Sequence, residues 1–240
     1  MGYDVHITRA RFWPHSERYP IRTSEWLALV ADNDDLYFDK DHYGQPTDDP
    51  DATYMFDWKP ATGDGSWFMC SSGEIRTKNP EDATIRRMIE MAADLDAWVT
   101  GDDHAFYSID QGTVAEREPT PQQIDASTPH FITHGSASGG MNWDHPILQA
   151  EWLDVVAAQP DFVIATEVEA YLPSGISRIT CPPVATWIGH PNGLQIPFFF
   201  DEDLIEVRAS DDPTLKRMTE LAAVLGAKVL DEYDQAVIRS

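Results

Sequence analysis

Cysteine, basic residues and long apolar runs are all scarce in this chain of 240 residues. Its two cysteines, Cys70 and Cys181, are too few for a disulfide framework or a zinc site, and we expect both to be buried thiols. No window of about 20 apolar residues is present, and the N-terminal stretch has no apolar run of signal-peptide length. We therefore expect a cytoplasmic protein without a membrane-spanning helix.

The shortage of basic residues makes the chain strongly acidic. Lysine and arginine number 17 against 41 aspartates and glutamates, which gives a formal net charge of −24 at pH 7. Such a chain is repelled by nucleic acid and by anionic membrane surfaces, so we expect neither as a partner. The charge serves either solubility or the attraction of a basic protein partner, and composition leaves both interpretations open.

No motif for catalysis or cofactor binding is present. The segment Asp39–Gly44 resembles the start of a calcium-binding EF-hand loop, but Tyr43 and Pro50 stand at positions where the motif needs a carboxylate ligand. Asp102 and His104 lie two positions apart on predicted strand material and share a face, but two ligands do not make a metal site. We therefore predict no catalytic residues, no cofactor and no metal.

What the sequence does contain is an internal repeat. Pro20, Glu25 and Trp26 recur 126 residues later, in the segment that begins at Pro146. Further along, the offset becomes 130 residues, which matches Phe68, Ile75, Arg87, Met88 and Glu90 with Phe198, Ile205, Arg217, Met218 and Glu220. A period of this length is too long for a solenoid and indicates a duplicated domain. The matched charged residues are predicted to form structural ion pairs, either on the helix surface or between elements.

Each copy has the same predicted order of elements: strand, helix, several strands, helix, strand. Alternation in YDVHIT, TYMFDW and EIRTK indicates strands, whereas helical spacing of apolar residues in TSEWLALVA and ATIRRMIEMAADL indicates helices. We therefore predict an α+β fold, built as a tandem duplication of a unit with a mostly antiparallel sheet and two helices on one face. Residues 1–110 are predicted to form the first repeat, 111–128 the linker and 129–240 the second repeat.

Local signals place the ends of the helices. Thr23 or Ser24 is predicted to cap the first helix, and Asn79 the second helix of the first copy. Gly226 is predicted to end the matching helix of the second copy, because glycine readily adopts the left-handed conformation found there. The repeated methionines on the inner faces of these two helices should be buried.

Loops that differ between the copies are the predicted binding surface, because binding residues tend to lie on loops held by a rigid scaffold. The first copy has an acidic loop, and the segments WKPATGDG and WIGHPNG each begin with a tryptophan. The residues predicted to contact a partner are Asp48, Asp49, Asp51, Trp58, Trp187 and His190. The sequence leaves open the alternative that both tryptophans are core residues.

Three segments carry a resemblance to known proteins. The opening YDVHITRARFW, the PI…EWL start of the first helix and the stretch GEIRTKNPEDATIRRM…DAWVTGDD resemble a group of small bacterial cytosolic proteins of uncharacterised function. The resemblance covers most of the first copy and brings no catalytic residues; Asp96 departs from the glycine, Gly226, of the second copy. In general character the chain is similar to immunity proteins, which neutralise toxins passed between bacteria.

Two classes of function follow from these features. The first is an acidic protein-binding module, most concretely an immunity or inhibitor protein that neutralises a basic bacterial toxin such as a nuclease. Its basis is the charge, the duplicated scaffold and the divergent acidic loops. The alternative is a small-molecule enzyme with a site in the cleft between the two repeats.

Overall fold

The computed structural model describes residues 2–47, 52–118, 129–136, 145–208 and 211–237. It divides into two compact units, one of Met1–Ile124 with Glu167–Pro182, the other of Asp125–Thr166 with Pro183–Ser240. Among the described residues, no helix has both the length and the apolar character that crossing a bilayer requires. Both cysteines are buried free thiols, as expected.

The elements of the first repeat alternate as predicted, with two additional short helices. Its elements are β1 (Asp4–Thr8), a 3-10 helix (Trp13–Arg18), α1 (Thr23–Ala31), β2 (Leu36–Phe38), α2 (Lys40–Tyr43), β3 (Tyr54–Trp58), β4 (Ser66–Ser71), β5 (Glu74–Lys78), α3 (Asp82–Asp94), β6 (Trp98–Gly101), β7 (Phe106–Asp110) and β8 (Thr113–Arg117). The second repeat contains β9 (Pro129–Thr133), α4 (Gln149–Ala157), β10 (Phe162–Leu172), β11 (Gly175–Trp187), β12 (Ile196–Asp201), β13 (Leu204–Arg208), α5 (Asp212–Leu225) and β14 (Lys228–Asp231).

The two sheets have the same strand order over six strands, which confirms the predicted duplicated α+β fold. The first sheet runs β2-β3-β4-β5-β1-β6-β7-β8 and the second β10-β11-β12-β13-β9-β14. The registers match as well. Ile7 lies opposite Ile75 in the first sheet, and the matched Ile132 lies opposite Ile205 in the second. These pairs are antiparallel, so each copy is a meander whose first strand inserts near the centre of the sheet.

Each repeat buries one face of its sheet under two helices. In the first repeat, Trp26 of α1 and Met88 of α3 pack with strand residues such as Phe68. In the second, Trp152 of α4 and Met218 of α5 occupy the matching places. Both methionines are fully buried, as predicted. Large apolar side chains at helical spacing meet alternate residues of the strands, and this contact closes both cores.

The helix caps differ from those predicted. Helix α1 begins after Arg22, whose backbone N–H donates to Glu25 at 2.9 Å, so neither Thr23 nor Ser24 is the capping residue. Helix α3 begins at Asp82, beyond Asn79. The Asn79 side chain instead accepts a hydrogen bond from the Tyr3 backbone N–H at 2.9 Å, which fixes the start of β1.

The ends of the matching helices α3 and α5 share one backbone conformation. Gly226 closes α5 in the left-handed region with φ of 66°, as predicted. Asp96 adopts a φ of 47° at the matched position of the first repeat. Its carboxylate accepts hydrogen bonds from the backbone N–H and the hydroxyl of Ser174, in the hairpin segment of the first unit. A residue other than glycine adopts this left-handed conformation only at a cost in free energy, and at Asp96 it occurs together with these two hydrogen bonds.

Strand β8 lies at the start of the segment predicted as a linker. It pairs with β7 through a two-residue turn, Gln111-Gly112, in which both residues have positive φ values of 48° and 82°. Such turns match the twist of a hairpin, but glutamine is not a usual signal for one, which is why the sequence pattern did not indicate it. Residues 119–128 of the predicted linker lie outside the described residues.

Candidate functional site

The predicted acidic loop falls between α2 and β3. Asp48, Asp49 and Asp51 lie outside the described residues, so their contribution to binding stays a prediction. Just before them, Asp39 caps α2, where its carboxylate accepts hydrogen bonds from the backbone N–H groups of Asp41 and His42. Among the described residues, no three His, Cys, Asp or Glu side chains form a group that could hold a metal ion.

Trp58 and Trp187 occupy equivalent, buried positions at the ends of β3 and β11. The Trp58 indole N–H donates to Asp35 Oδ2 at 2.9 Å, and the Trp187 indole N–H donates to Asp161 Oδ2 at 2.7 Å. Both are therefore core residues in the structure, the alternative that the sequence left open. A buried indole offers little area to a partner, and the predicted anchor role of these tryptophans stays untested.

The carboxylates that receive these indoles also hold the repeated arginines. In the first repeat, Arg87 Nη2 donates to Asp35 at 2.7 Å and to Asn33 at 2.8 Å, while Nη1 donates to Glu90 at 3.1 Å. The arginine joins α3 to the turn before β2. Because the guanidinium and the aspartate are each hydrogen-bonded twice or more, the cluster fixes that turn against the core.

The second repeat reproduces this cluster with one substitution. Arg217 Nη2 donates to Asp161 at 2.7 Å and to Gln159 at 2.9 Å, while Nη1 donates to Glu220 at 3.0 Å. Glutamine thus stands where the first repeat has asparagine. The same geometry on both copies indicates a structural role for the cluster. The sequence predicted helix-surface or inter-element ion pairs for the repeated charged residues, but it did not indicate Asp35 and Asp161 as the carboxylates that the arginines share with the tryptophans.

His190 is a buried residue that tethers the start of α5. Its Nε2 lies 3.1 Å from Asp211 Oδ2, while its Nδ1 accepts a hydrogen bond from the Asn192 backbone N–H at 3.2 Å. Burial raises the pKa of Asp211, but hydrogen bonds from Thr214 and His190 outweigh it and lower the pKa below its ordinary value. His190 therefore holds Asp211, the residue that caps the start of α5. Its predicted contact with a partner stays untested.

The first repeat contains a buried polar cluster that the second repeat lacks. His6 on β1 lies between two carboxylates, with Nδ1 at 3.1 Å from Glu74 Oε2 and Nε2 at 3.2 Å from Asp102 Oδ1. The His6 side chain is only 1% exposed, and that of Glu74 is 4% exposed. Arg76 adds a longer contact, 3.9 Å, to the other oxygen of Glu74.

The cluster favours a charged imidazole. Burial lowers the pKa of His6, but the hydrogen bonds and negative charges of Glu74 and Asp102 outweigh it and raise the pKa above its ordinary value. Burial raises the pKa of Asp102, but the hydrogen bonds from the Asp4 backbone N–H and from His6 outweigh it and lower the pKa. The three groups form a charge-assisted network across β5, β1 and the turn that follows β6.

The 3-10 helix covers this network. The Trp13 ring stacks on His6, with ring centroids 4.3 Å apart and an interplanar angle of 8°. The Ser16 hydroxyl donates to the Trp13 carbonyl oxygen at 2.6 Å and lies 3.4 Å from Glu74 Oε2. Trp13 and Ser16 cover His6 and Glu74, whereas Asp102, at the other end of the network, is 38% exposed. The arrangement can hold charge and stabilise the fold.

Sequence reasoning missed His6 and Glu74 as a pair. Their face of the sheet alternates with the core face, and alternation of apolar and polar residues gives no sign that the polar face is buried. A signal was present in the second copy, where the matched positions carry Phe131 and Leu204. Apolar residues at both positions indicate that this face is covered. Asp102 was singled out in the sequence, but with His104 rather than with His6 as its neighbour.

An exposed row of side chains crosses the same face of the first sheet near its other edge. Tyr37 on β2 lies opposite Asp57 on β3, and Asp57 lies opposite Trp67 on β4. Tyr37 is 51% exposed and Trp67 is 37% exposed. The Lys59 ammonium lies 4.5 Å from the centroid of the Tyr37 ring. This aromatic row, defined as Tyr37, Asp57 and Trp67, is a set of large solvent-facing rings that flank a carboxylate.

No protein-family model, curated protein or solved structure matches this chain.

Proposed function

We propose that this chain is an acidic, cytoplasmic protein-binding module that inhibits a basic protein partner, such as a bacterial toxin. The observation that carries the proposal is the charge. The 41 acidic residues outnumber the 17 basic residues, which leaves a net charge of −24. An excess of this size produces a long-range field that accelerates encounter with a cationic partner.

The described arginines support this proposal, because several are used inside the fold. Arg9, Arg87 and Arg217 are nearly buried and pair with carboxylates. Arg9 additionally donates to the Leu95 carbonyl oxygen at the end of α3. These arginines hold elements together and present little positive charge to solvent. Because each of these arginines is paired with a carboxylate within the fold, the excess of acidic residues lies among the remaining side chains.

The polar clusters also favour a binding role over the enzyme alternative. Each copy has one arginine–aspartate cluster, and the two clusters fix equivalent turns. In the His6 network, the side chains of His6 and Glu74 are 1% and 4% exposed, and Asp102 alone of the three reaches solvent. A catalytic acid or base must reach the proton that it transfers, and the buried His6 and Glu74 do not meet that condition.

Affinity purification from the source organism tests the proposal. The immobilised chain is exposed to lysate at about 10 mM salt, where the screening length is about 30 Å, and eluted with a salt gradient. A column with an unrelated protein of similar isoelectric point removes generic cation binders. We expect a basic protein that elutes with salt from the first column only and whose activity the purified chain inhibits. A co-purifying small metabolite, with no basic protein recovered, would contradict the proposal and favour the enzyme alternative.

A further inference from the structure

The aromatic row combines two groups that recognise cations. Neighbouring strands lie about 4.8 Å apart, so the Asp57 carboxylate has an aromatic ring on each side within about one strand spacing. Asp57 is exposed, and its carboxylate makes no hydrogen bond or ion pair within the part of the chain that the structure describes. A guanidinium group can stack on an aromatic face while it donates two hydrogen bonds to a carboxylate.

The chain itself shows that the row accepts a positive charge. Lys59 lies two residues after Asp57 and places its ammonium over the Tyr37 ring at 4.5 Å. This internal contact is a cation–π interaction on an exposed ring. On the other side of β4, strand β5 ends with the exposed Lys78, which faces the same side of the sheet. Because the ammonium of Lys78 repels another cation, an incoming cation is favoured beside Asp57 rather than beyond Trp67.

The row belongs to the first repeat alone. The matched positions of the second repeat are Val163, Thr186 and Pro197, and Thr186 pairs with Pro197 just as Asp57 pairs with Trp67. Valine, threonine and proline offer neither a carboxylate nor an aromatic face. Because the two sheets share strand order and register, the second repeat is a natural comparison that has the scaffold without the row.

We propose that the aromatic row is the contact surface for an arginine side chain of the basic partner, which stacks on Trp67, pairs with Asp57 and displaces Lys59 from Tyr37. The inference rests on the proposed function, because it assumes that the partner is a basic protein. The occupant follows from charge complementarity: an unpaired carboxylate between two exposed rings fits a planar cation better than an apolar or acidic group. The described residues present one such surface, which predicts a complex with one partner molecule.

Titration with a hexa-arginine amide peptide tests the row directly. Isothermal calorimetry gives the affinity at about 10 mM and about 150 mM salt, and NMR follows the indole N–H signal of Trp67. We expect Trp67→Leu to weaken peptide binding by about two- to fivefold, the range for an exposed cation–π contact, and Asp57→Asn by up to about fivefold, the most that an exposed ion pair usually contributes. Asp154→Asn, which removes an exposed carboxylate of α4, is the matched control and should leave the affinity within about 1.5-fold.

A second pair of variants tests the displacement of the internal lysine. Lys59→Ala frees the Tyr37 ring and should strengthen peptide binding by about twofold more than Lys40→Ala, which removes an exposed lysine of α2. Unchanged thermal unfolding of all variants verifies that they are folded. Equal effects of Asp57→Asn and Asp154→Asn, or a Trp67 signal that does not move on titration, would overturn the row as a site.

The two proposals fail in different ways. A basic partner from the lysate could bind the native chain, Asp57→Asn and Trp67→Leu with equal affinity. That result would show that the aromatic row is not the contact surface, and it would not contradict the proposed function. A native chain that captures no basic protein removes the proposed function itself, whatever the peptide does.

Discussion

Replacement of His6 by phenylalanine tests how the buried network stabilises the first repeat. The second repeat carries Phe131 at the matched position, so the sheet accommodates a phenyl ring there. In the first repeat, however, His6→Phe removes the imidazole that lies 3.1 Å from the buried Glu74. A carboxylate without its partner in a closed site is costly, because it loses water and gains no compensating hydrogen bond.

The expected cost is about 3 kcal/mol of unfolding free energy at pH 7. Removal of one member of a buried charge pair costs about 3–5 kcal/mol. The lower end applies because Asp102 is 38% exposed and stays hydrated, and because Arg76 remains 3.9 Å from Glu74. Urea denaturation monitored by tryptophan fluorescence gives the difference between the native chain and the variant.

The double variant His6→Phe with Glu74→Leu separates the pair from the packing. Its two residues are those of the second repeat, where Leu204 matches Glu74. Replacement of a buried ion pair by apolar residues of similar size is often neutral or stabilising. We expect the double variant to unfold within about 1 kcal/mol of the native chain, which implies a coupling free energy of about 2 kcal/mol or more. Additive losses in the two single variants would refute this reasoning.

The same network predicts a pH dependence. The folded state raises the pKa of His6, so the stabilisation from this group is fully present below its unfolded value, about 6.5, and is lost as pH rises through the folded pKa. Above pH 6.5 the native chain should therefore lose unfolding free energy relative to the double variant, by at most about 1.4 kcal/mol per pH unit. A difference that stays flat from about pH 5 to about pH 9 would show that His6 is not held as a cation.

The remaining predictions concern the core and the acidic loop. Trp26→Ala and Trp152→Ala should each lower the unfolding free energy by about 3–5 kcal/mol, the cost of deleting a large buried aromatic, and a loss below about 1 kcal/mol in denaturant would contradict their core positions. Reversal of charge at Asp48, Asp49 and Asp51 should slow association with the basic partner more than it speeds dissociation, because charges at an interface rim act mainly on the association rate. Stopped-flow mixing measures both rates, and an effect on dissociation alone would contradict this placement of the acidic loop.

The fold was predictable because its signals are local and occur twice. Helix α1 spans Thr23–Ala31, the segment indicated by apolar spacing, and the repeated Met88 and Met218 mark the inner faces of α3 and α5. Where the signal was weak the prediction differed from the structure, as with the turn before β8, which has a glutamine at positive φ. Because the matched elements occur twice in the sequence, each could be compared with its counterpart, and the strand order of one copy corresponds to that of the other.

The arrangement of functional side chains was far less accessible from sequence. His6 meets Glu74 across 68 positions of sequence and Asp102 across 96, and only the sheet register brings them together. The aromatic row is likewise a product of pairing, since Tyr37 and Trp67 belong to different strands on either side of Asp57. Composition indicates how much charge a chain carries, but register decides which charges lie beside which rings.

The most direct test of charge-steered recognition is the association rate between the purified chain and the basic protein captured from lysate, measured at increasing salt. We expect a rate that falls steeply between about 10 mM and about 150 mM salt, as the screening length drops from about 30 Å to about 8 Å. We also expect a further loss of affinity in Asp57→Asn but not in Asp154→Asn. An association rate independent of salt, or the absence of any basic protein that binds at low salt, would contradict the claim that this chain recognises its partner by charge.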